Sequence, residues 1–161
     1  PFDFKPSLVG QFILLLYKGT LPGLVRGGYD WVDVRDVCAA TLQALKRAKS
    51  GERYILSGSW LSVSDFAALF SEITGRKTVR RILPLWLARL GVPFIALFAY
   101  LKKQQPLYTY ESLKILREGN RNISSAKAKK ELNYAPRPMK VSIRDAVAWF
   151  KEQGYLKGHG E

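Results

Sequence analysis

Strand-like and helix-like segments alternate along this chain of 161 residues, the order typical of a parallel sheet covered by helices. Residues 31–34 and 53–56 are rich in aromatic and β-branched side chains and predict two short strands, and residues 78–82 predict a third extended segment. Two or three short strands are too few to complete such a sheet. The chain is therefore expected to be an α/β, helix-rich structure whose sheet is completed by sequence outside it.

Signals for the start and the end of helices divide the rest of the chain. After Ser7, apolar residues recur with helical spacing until Gly19, which ends the segment. Residues 62–65 and 142–145 each read Ser-x-x-Asp, the pattern of a capping box. Because no internal repeat or linker interrupts these segments, residues 1–161 are predicted to form a single domain. Helix N-caps are predicted at Ser7, Asp36, Ser62, Ser124 or Ser125, and Ser142.

The chain is poor in the residues that carry most metal and nucleophilic chemistry. Cys38 is the only cysteine and His159 the only histidine, so neither an internal disulfide nor a Cys/His zinc site can form. His159 lies between two glycines close to the last residue, which makes a Ser-His-Asp or Cys-His site implausible. These counts exclude a disulfide-built secreted scaffold.

The chain is strongly basic, with 26 lysines and arginines against 13 acidic residues and a formal charge of +13. Such a charge favours anionic partners such as nucleic acid, phosphorylated ligands or an acidic membrane. The basic residues are dispersed over predicted polar helix faces and helix ends, however, so we interpret them mainly as a solvated surface. No basic recognition helix or RNA-binding platform is recognisable, and we expect no nucleic-acid partner.

The most apolar stretch, residues 82–101, is nearly long enough to span a membrane. Arg89 is charged, and Gly91-Val92-Pro93 interrupts a helix near the middle of the stretch. Two short helices that cover a core or a pocket fit these breaks better than a membrane span. Peripheral contact with an acidic bilayer stays an alternative, because basic residues flank both ends of the stretch.

The sequence contains no phosphate-binding loop. Gly27-Gly28 lacks the G-x-G-x-x-G spacing, and no G-x-x-x-x-G-K-[ST] pattern occurs. Tyr110 and Lys114 match Y-x-x-x-K, the acid/base pair of many reductases, but a chain with 8 tyrosines and many lysines meets that pattern by chance. We interpret residues 110–114 as a structural helix.

Asp33 follows a predicted strand, at a position where ligand-facing side chains often lie. An alternative, equally compatible with the pattern, is that Asp33 faces solvent because strand side chains alternate between faces. Asp36, three residues later, is interpreted as the N-cap of the next helix.

Four runs in a fixed order resemble a known family: residues 1–7, 29–37, 51–58 and 122–134. They are similar to segments that follow the sixth Rossmann strand in the extended short-chain dehydrogenase/reductases, the NAD-dependent epimerase/dehydratase family. The resemblance covers nearly the whole chain and is greatest to the dihydroflavonol reductase-like branch, which includes sugar epimerase-like proteins.

The resemblance implies that this chain is the C-terminal, substrate-binding part of a longer enzyme. The glycine-rich NAD(P)-binding loop and the catalytic Ser/Thr-Tyr-Lys set of the family would precede residue 1. The parent would be an NAD(P)-dependent reductase or epimerase of the cytoplasm acting on a small molecule, and this chain alone would be inactive. The surface that the missing part would cover is expected to be apolar, and we therefore expect the chain to form homo-oligomers through it. The alternative is a stand-alone basic helical module that binds an acidic membrane surface or partner.

The resemblance also assigns roles to individual residues, none of them catalytic. Ser7 matches a position that contacts the cofactor phosphate, and a helix N-terminus suits an anion. Trp31 and Asp33 would face the substrate cleft, with Lys5 near its mouth. Arg117 or Arg121 would meet a substrate phosphate, as an arginine near this position does in nucleotide-sugar epimerases.

Overall fold

The computed structural model describes residues 1–84, 86–87, 114–116 and 119–156. The described elements are five helices and four short strands, which run from the N-terminal segment to the last helix of the described residues. They are α1 (Leu8–Lys18), β1 (Leu24–Val25), β2 (Gly28–Trp31), α2 (Val34–Arg47), β3 (Ser59–Ser62), α3 (Val63–Thr74), β4 (Ile82–Leu83), α4 (Ala126–Leu132) and α5 (Met139–Glu152).

Helices α1 and α3 begin and end where their local signals predict. The Ser7 side chain accepts a hydrogen bond from the Gly10 amide at the start of α1, and Gly19 ends this helix in the left-handed conformation. The Ser62 hydroxyl accepts from the Asp65 amide and donates to the Asp65 carboxylate, which completes the predicted capping box of α3. The signals at the ends of both helices lie among neighbouring residues, which explains why the sequence predicts where these helices begin and end.

The strands form two separate pairs among the described residues. β2 and β3 pair antiparallel, with Tyr29 opposite Leu61 and Trp31 opposite Ser59. β1 and β4 pair parallel, with Leu24 opposite Ile82. The third extended segment is thus confirmed at its C-terminal end, at Ile82–Leu83. Because a two-residue parallel pair buries little surface, helices supply most of the core.

Two strand predictions are wrong in position. The predicted strand at 31–34 lies three residues earlier, at Gly28–Trp31, because Asp33 already begins the next helix. Residues 53–56 form no strand; the strand of this region is Ser59–Ser62. The side chains of Tyr54 and Leu56 pack instead against the cluster between α2 and α4. Apolar side chains at alternating positions therefore mark burial here and not strand pairing.

Two predicted N-caps are also wrong. Asp33, and not Asp36, caps α2 by accepting a hydrogen bond from the Arg35 amide. Helix α5 begins at Met139 after Pro138, so Ser142 lies in its first turn and caps nothing. Proline suits the beginning of a helix because its ring fixes φ at about −65° and because it has no amide hydrogen that needs an acceptor. Helix α5 therefore begins about one turn before the predicted cap, Ser142. Ser125 stands at the N-cap of α4 without a side-chain hydrogen bond, whereas the Ser124 hydroxyl accepts from the Ala126 amide.

Helices α1, α3 and α5 enclose the main core. Its centre contains fully buried aromatic rings at Phe66, Phe70 and Phe150. A smaller cluster of Ala40, Ala128, Leu132 and Tyr134 joins α2 to α4. The β2–β3 pair lies against the main core through Trp31, whose ring centroid is 4.5 Å from that of Phe66.

Most of the apolar stretch 82–101 and Tyr110 lie outside the described residues. Within the ranges that the structure describes, no helix combines the length and the apolar character needed to cross a bilayer.

Candidate functional site

Two adjoining cavities open where the N-terminal segment, the start of α1 and the end of β2 meet. We call them the N-terminal cavity, of about 440 Å³, and the apolar cavity, of about 490 Å³. They share Val9, Trp31 and Val32. Each is of a size that holds a drug-sized small molecule. The N-terminal cavity is further lined by Asp3, Ser7, Asp33, Phe66, Ser142 and Phe150, and the apolar cavity by Leu8, Phe12, Tyr29, Asp30, Val63 and Leu116.

The start of α1 already holds a negative charge from this chain. The Asp3 carboxylate accepts hydrogen bonds from the Ser7 amide, at 2.9 and 3.0 Å, and from the Ser7 hydroxyl, at 2.9 Å. Gly10 leaves room for this carboxylate, because a Cβ there would lie 2.1 Å from an Asp3 carboxylate oxygen and would displace it. A carboxylate satisfies the free amides of a helix N-terminus in the way that a bound anion does. In this structure the Asp3 carboxylate occupies the Ser7 amide and hydroxyl, and the role of Ser7 at a cofactor phosphate stays a prediction.

Trp31 forms the wall between the two cavities. Its Nε1 donates to the Leu61 carbonyl of β3 at 3.0 Å, which holds the indole ring in one orientation. The ring contacts Phe66 on one side and meets Tyr29 edge-on at 5.5 Å. A ring fixed by one hydrogen bond and two aromatic neighbours offers a rigid apolar surface to a ligand.

Asp33 lies at the end of the N-terminal cavity in a network of ion pairs. Its carboxylate accepts from the Arg35 guanidinium at 2.7 and 2.9 Å, and Arg35 also bonds Asp145 of α5 at 2.9 Å. These hydrogen bonds hold the pKa of Asp33 well below its usual range and raise the pKa of Arg35. Asp33 is 8% exposed. Of the two interpretations that the sequence left open, a solvent-facing Asp33 is wrong, and a ligand-facing role stays a prediction.

A second pair lies one helical turn along α2. The Asp36 carboxylate accepts hydrogen bonds from Nε of the Arg137 guanidinium and from the Arg137 backbone amide, each at 2.8 Å. Asp36 is 8% exposed, and the hydrogen bond raises the pKa of Arg137. Together the two pairs fasten the first turn of α2 to the loop before α5 and to α5 itself.

We expect the Asp33→Asn variant to lose about 2 kcal/mol of unfolding free energy at neutral pH, because asparagine keeps the helix cap but removes the charge that Arg35 binds. The folded pKa of Asp33 is below its ordinary value of 3.8, so the stabilising effect is complete above that value and is lost as the pH falls below it. Urea unfolding of both proteins from neutral pH down to about pH 2.5 tests this expectation. A difference between them that stays constant over the whole range would contradict it.

The structure brings three of the predicted site residues together and not the others. Ser7, Trp31 and Asp33 line the N-terminal cavity. Lys5 is exposed and lines neither cavity. Arg121 lies with its guanidinium 4.5 Å above the ring of Trp60 and lines neither cavity. Arg117 is outside the described residues.

Sequence reasoning missed several residues of the site. Asp3 carries a recognisable signal, since an acidic residue shortly before a serine N-cap is suited to the helix N-terminus. Tyr29 also carried a signal, because it belongs to the same strand as Trp31 and alternation places both on one face. Arg137 carried none, because its partner Asp36 is 101 residues away in sequence.

Known proteins resemble the chain over nearly its whole length. It is 34% identical over 160 residues to sterol demethylase protein B of Methylococcus capsulatus, a match that covers 97% of this chain and 48% of that protein. It is 31% identical over 168 residues to a dihydroflavonol 4-reductase-like protein of Synechocystis sp., with 98% of this chain and 47% of that protein covered. The crystal structure of gox2253 superposes with a TM-score of 0.76 at 36% identity, over 98% of this chain and 47% of that one.

The chain belongs to the extended short-chain dehydrogenase/reductase family. It spans about half the length of the curated relatives that it matches, and the match corresponds to their C-terminal half. No family model matches the chain. The resemblance stated from the four sequence runs is thus confirmed, and so is the prediction of a helix-rich α/β structure with few short strands.

Membership of the extended short-chain dehydrogenase/reductases accounts for the incomplete sheet. A Rossmann sheet needs several parallel strands, and the described residues contribute one parallel pair of two residues per strand. The two cavities therefore belong to the C-terminal half of the fold, where the relatives match.

Proposed function

We propose that this chain forms the substrate-binding half of an NAD(P)-dependent oxidoreductase of the dihydroflavonol reductase-like branch. The observation that carries the proposal is the pair of cavities at the N-terminal segment, lined by Trp31 and Asp33. Both residues lie in the run that resembles the family, and the relatives that match over 97–98% of this chain include a dihydroflavonol 4-reductase-like protein. A nicotinamide cofactor bound mainly by the preceding half would supply or accept the hydride.

The residues of this chain act on the substrate by holding it. Trp31 offers a fixed aromatic surface, and Phe12 and Phe66 lie behind it with ring centroids 5.6 Å apart. An apolar enclosure of this kind excludes water from a reacting carbonyl or hydroxyl group. The ion pairs of Asp33 and Asp36 fasten α2 and α5 behind the wall, so the cavity keeps its shape while a ligand binds.

Exposed apolar side chains at the N-terminal cavity support the proposal that another half of the enzyme covers this surface. Phe2 and Val34 are 70% and 59% exposed, and both line the N-terminal cavity. Exposed apolar side chains clustered at one place are typical of a surface that another structural unit covers. In this proposal that unit is the nucleotide-binding half.

The experiment is to read the coding DNA upstream of the codon for Pro1 and to express the longest in-frame product beside this chain. We expect the longer product to contain a G-x-x-G-x-x-G loop and a Y-x-x-x-K pair, to enhance NADPH fluorescence on binding, and to oxidise NADPH with a carbonyl substrate. This chain alone should do neither. A start codon directly before Pro1, or a longer product that binds neither NADPH nor NADH, would overturn the proposal.

A further inference from the structure

We propose that a surface at the end of β4 docks the protein on an anionic lipid bilayer without crossing it. This surface, the basic-apolar patch, combines three apolar side chains with three arginines: Ile82, Trp86, Leu87, Arg26, Arg80 and Arg81. None of the six lines either cavity among the residues that the structure describes. The proposal adds a binding partner and does not depend on the proposed function.

The apolar part of the patch is exposed because of how β4 lies on the protein. Leu83 packs against Gly23, where an added Cβ would lie 2.5 Å from the leucine side chain. Since side chains alternate along a strand, Ile82 points away from Gly23 and is 46% exposed. Trp86 and Leu87 follow shortly after β4 and are 63% and 41% exposed. Three large apolar side chains thus face solvent within a short run of sequence.

Backbone pairing fixes the patch to the rest of the protein. The Leu24 amide of β1 donates to the Arg81 carbonyl at 2.8 Å, and Leu24 itself is 2% exposed. Arg26 is exposed and follows Val25, which pairs with Leu83 in the parallel register. Because parallel strands end at the same edge, Arg26 leaves the strand pair at the end where the exposed apolar residues follow β4.

The charge of this region is more one-sided than that of the whole chain. Residues 73–110 contain seven lysines and arginines and no aspartate or glutamate, whereas the whole chain has 26 basic and 13 acidic residues. Arg80 and Arg81 are exposed and directly precede Ile82. Basic side chains placed in this way are attracted by the negative surface potential of an anionic bilayer.

An anionic bilayer fits both parts of the patch at once. Its phosphate groups bind guanidinium groups, and its boundary between headgroups and acyl chains takes up tryptophan and aliphatic side chains. A nucleic acid would bind the arginines but would leave Ile82 and Leu87 in water. A second copy of the same patch would bring like charges together. The combination of exposed apolar and basic side chains therefore favours the bilayer.

The test is co-sedimentation of the 161-residue chain with phosphatidylcholine vesicles, prepared with and without phosphatidylglycerol. We expect binding only to the vesicles that contain phosphatidylglycerol, and weaker binding when the salt concentration is raised from about 0.05 to about 0.5 M. The double variant Arg80→Ala/Arg81→Ala should lower the partition coefficient about tenfold or more. Trp86→Ala should lower it about tenfold.

The matched controls remove the same kinds of group at other places. Lys129→Ala/Lys130→Ala removes two adjacent exposed charges from α4. Phe2→Ala removes an aromatic ring that is 70% exposed at the N-terminal cavity. Both variants should bind the mixed vesicles within about twofold of the parent chain, because neither change touches the patch. Circular dichroism shows whether each variant is folded.

Trp86→Phe supplies a readout that does not require a loss of binding. Lipids with brominated acyl chains should quench the tryptophan emission of the parent chain, and the vesicle-bound variant should lose most of this quenching. No binding of the folded chain to the mixed vesicles would overturn the proposal, and so would equal quenching of the variant and the parent. Control variants that lose as much binding as Arg80→Ala/Arg81→Ala would also contradict it. Displacement of the vesicles by a single-stranded RNA that Trp86→Ala binds normally would assign the arginines to nucleic acid instead.

Discussion

Replacing Phe66 by alanine is expected to lower the free energy of unfolding by about 3–5 kcal/mol. Phe66 is 1% exposed, and its ring contacts Trp31 at a centroid distance of 4.5 Å and Phe12 at 5.6 Å. Removing the ring loses its burial and leaves a cavity that the surrounding helices α1 and α3 cannot fill without moving. Chemical denaturation followed by circular dichroism measures the loss directly.

The matched control for this prediction is Phe2→Ala. Phe2 is 70% exposed, so the same deletion of a ring should change stability by about 0.5 kcal/mol or less. A Phe66→Ala protein as stable as the Phe2→Ala protein would show that the aromatic wall is not part of the cooperative core.

The second large effect is expected from Asp36→Ala, which should cost about 3 kcal/mol of unfolding free energy at neutral pH. Asp36 is 8% exposed and accepts two hydrogen bonds from Arg137, one of them from the backbone amide. The substitution removes the carboxylate that the Arg137 guanidinium bonds, leaves it only Asp33 at 3.8 Å among the described residues, and leaves the Arg137 amide without its acceptor. Urea unfolding of the variant, monitored by circular dichroism, gives the difference.

An exposed ion pair elsewhere in the chain supplies the comparison. Lys140 and Glu72 join α5 to α3 by a salt bridge of 2.5 Å, with side chains 59% and 62% exposed. Glu72→Ala should therefore cost less than about 1 kcal/mol. Equal losses from Asp36→Ala and Glu72→Ala would mean that the Asp36–Arg137 pair does not fasten α2 to the loop before α5.

The site was predictable only where its residues belong to one short run of sequence. Ser7 as the cap of α1 follows from the pattern around it, and the family resemblance marked Trp31 and Asp33 before the structure placed them in one cavity. The engagement of Ser7 by Asp3 depends on how the N-terminal segment folds back, which helix signals do not describe. The partner of Asp36 could not be predicted, since Arg137 comes close to it only when α5 packs.

The amino-acid sequence by itself determined the family, the helix-rich α/β character and the bounds of α1 and α3. The helix bounds depend on capping residues and apolar residues within one or two turns of one another. The family was identified from short runs of consecutive residues, which do not depend on how the chain folds. Only the tertiary structure decided that the strand lies at Ser59–Ser62 and not at 53–56, and that Asp33 and not Asp36 caps α2. In both cases several local choices have similar energies, and contacts between residues far apart in sequence select one of them.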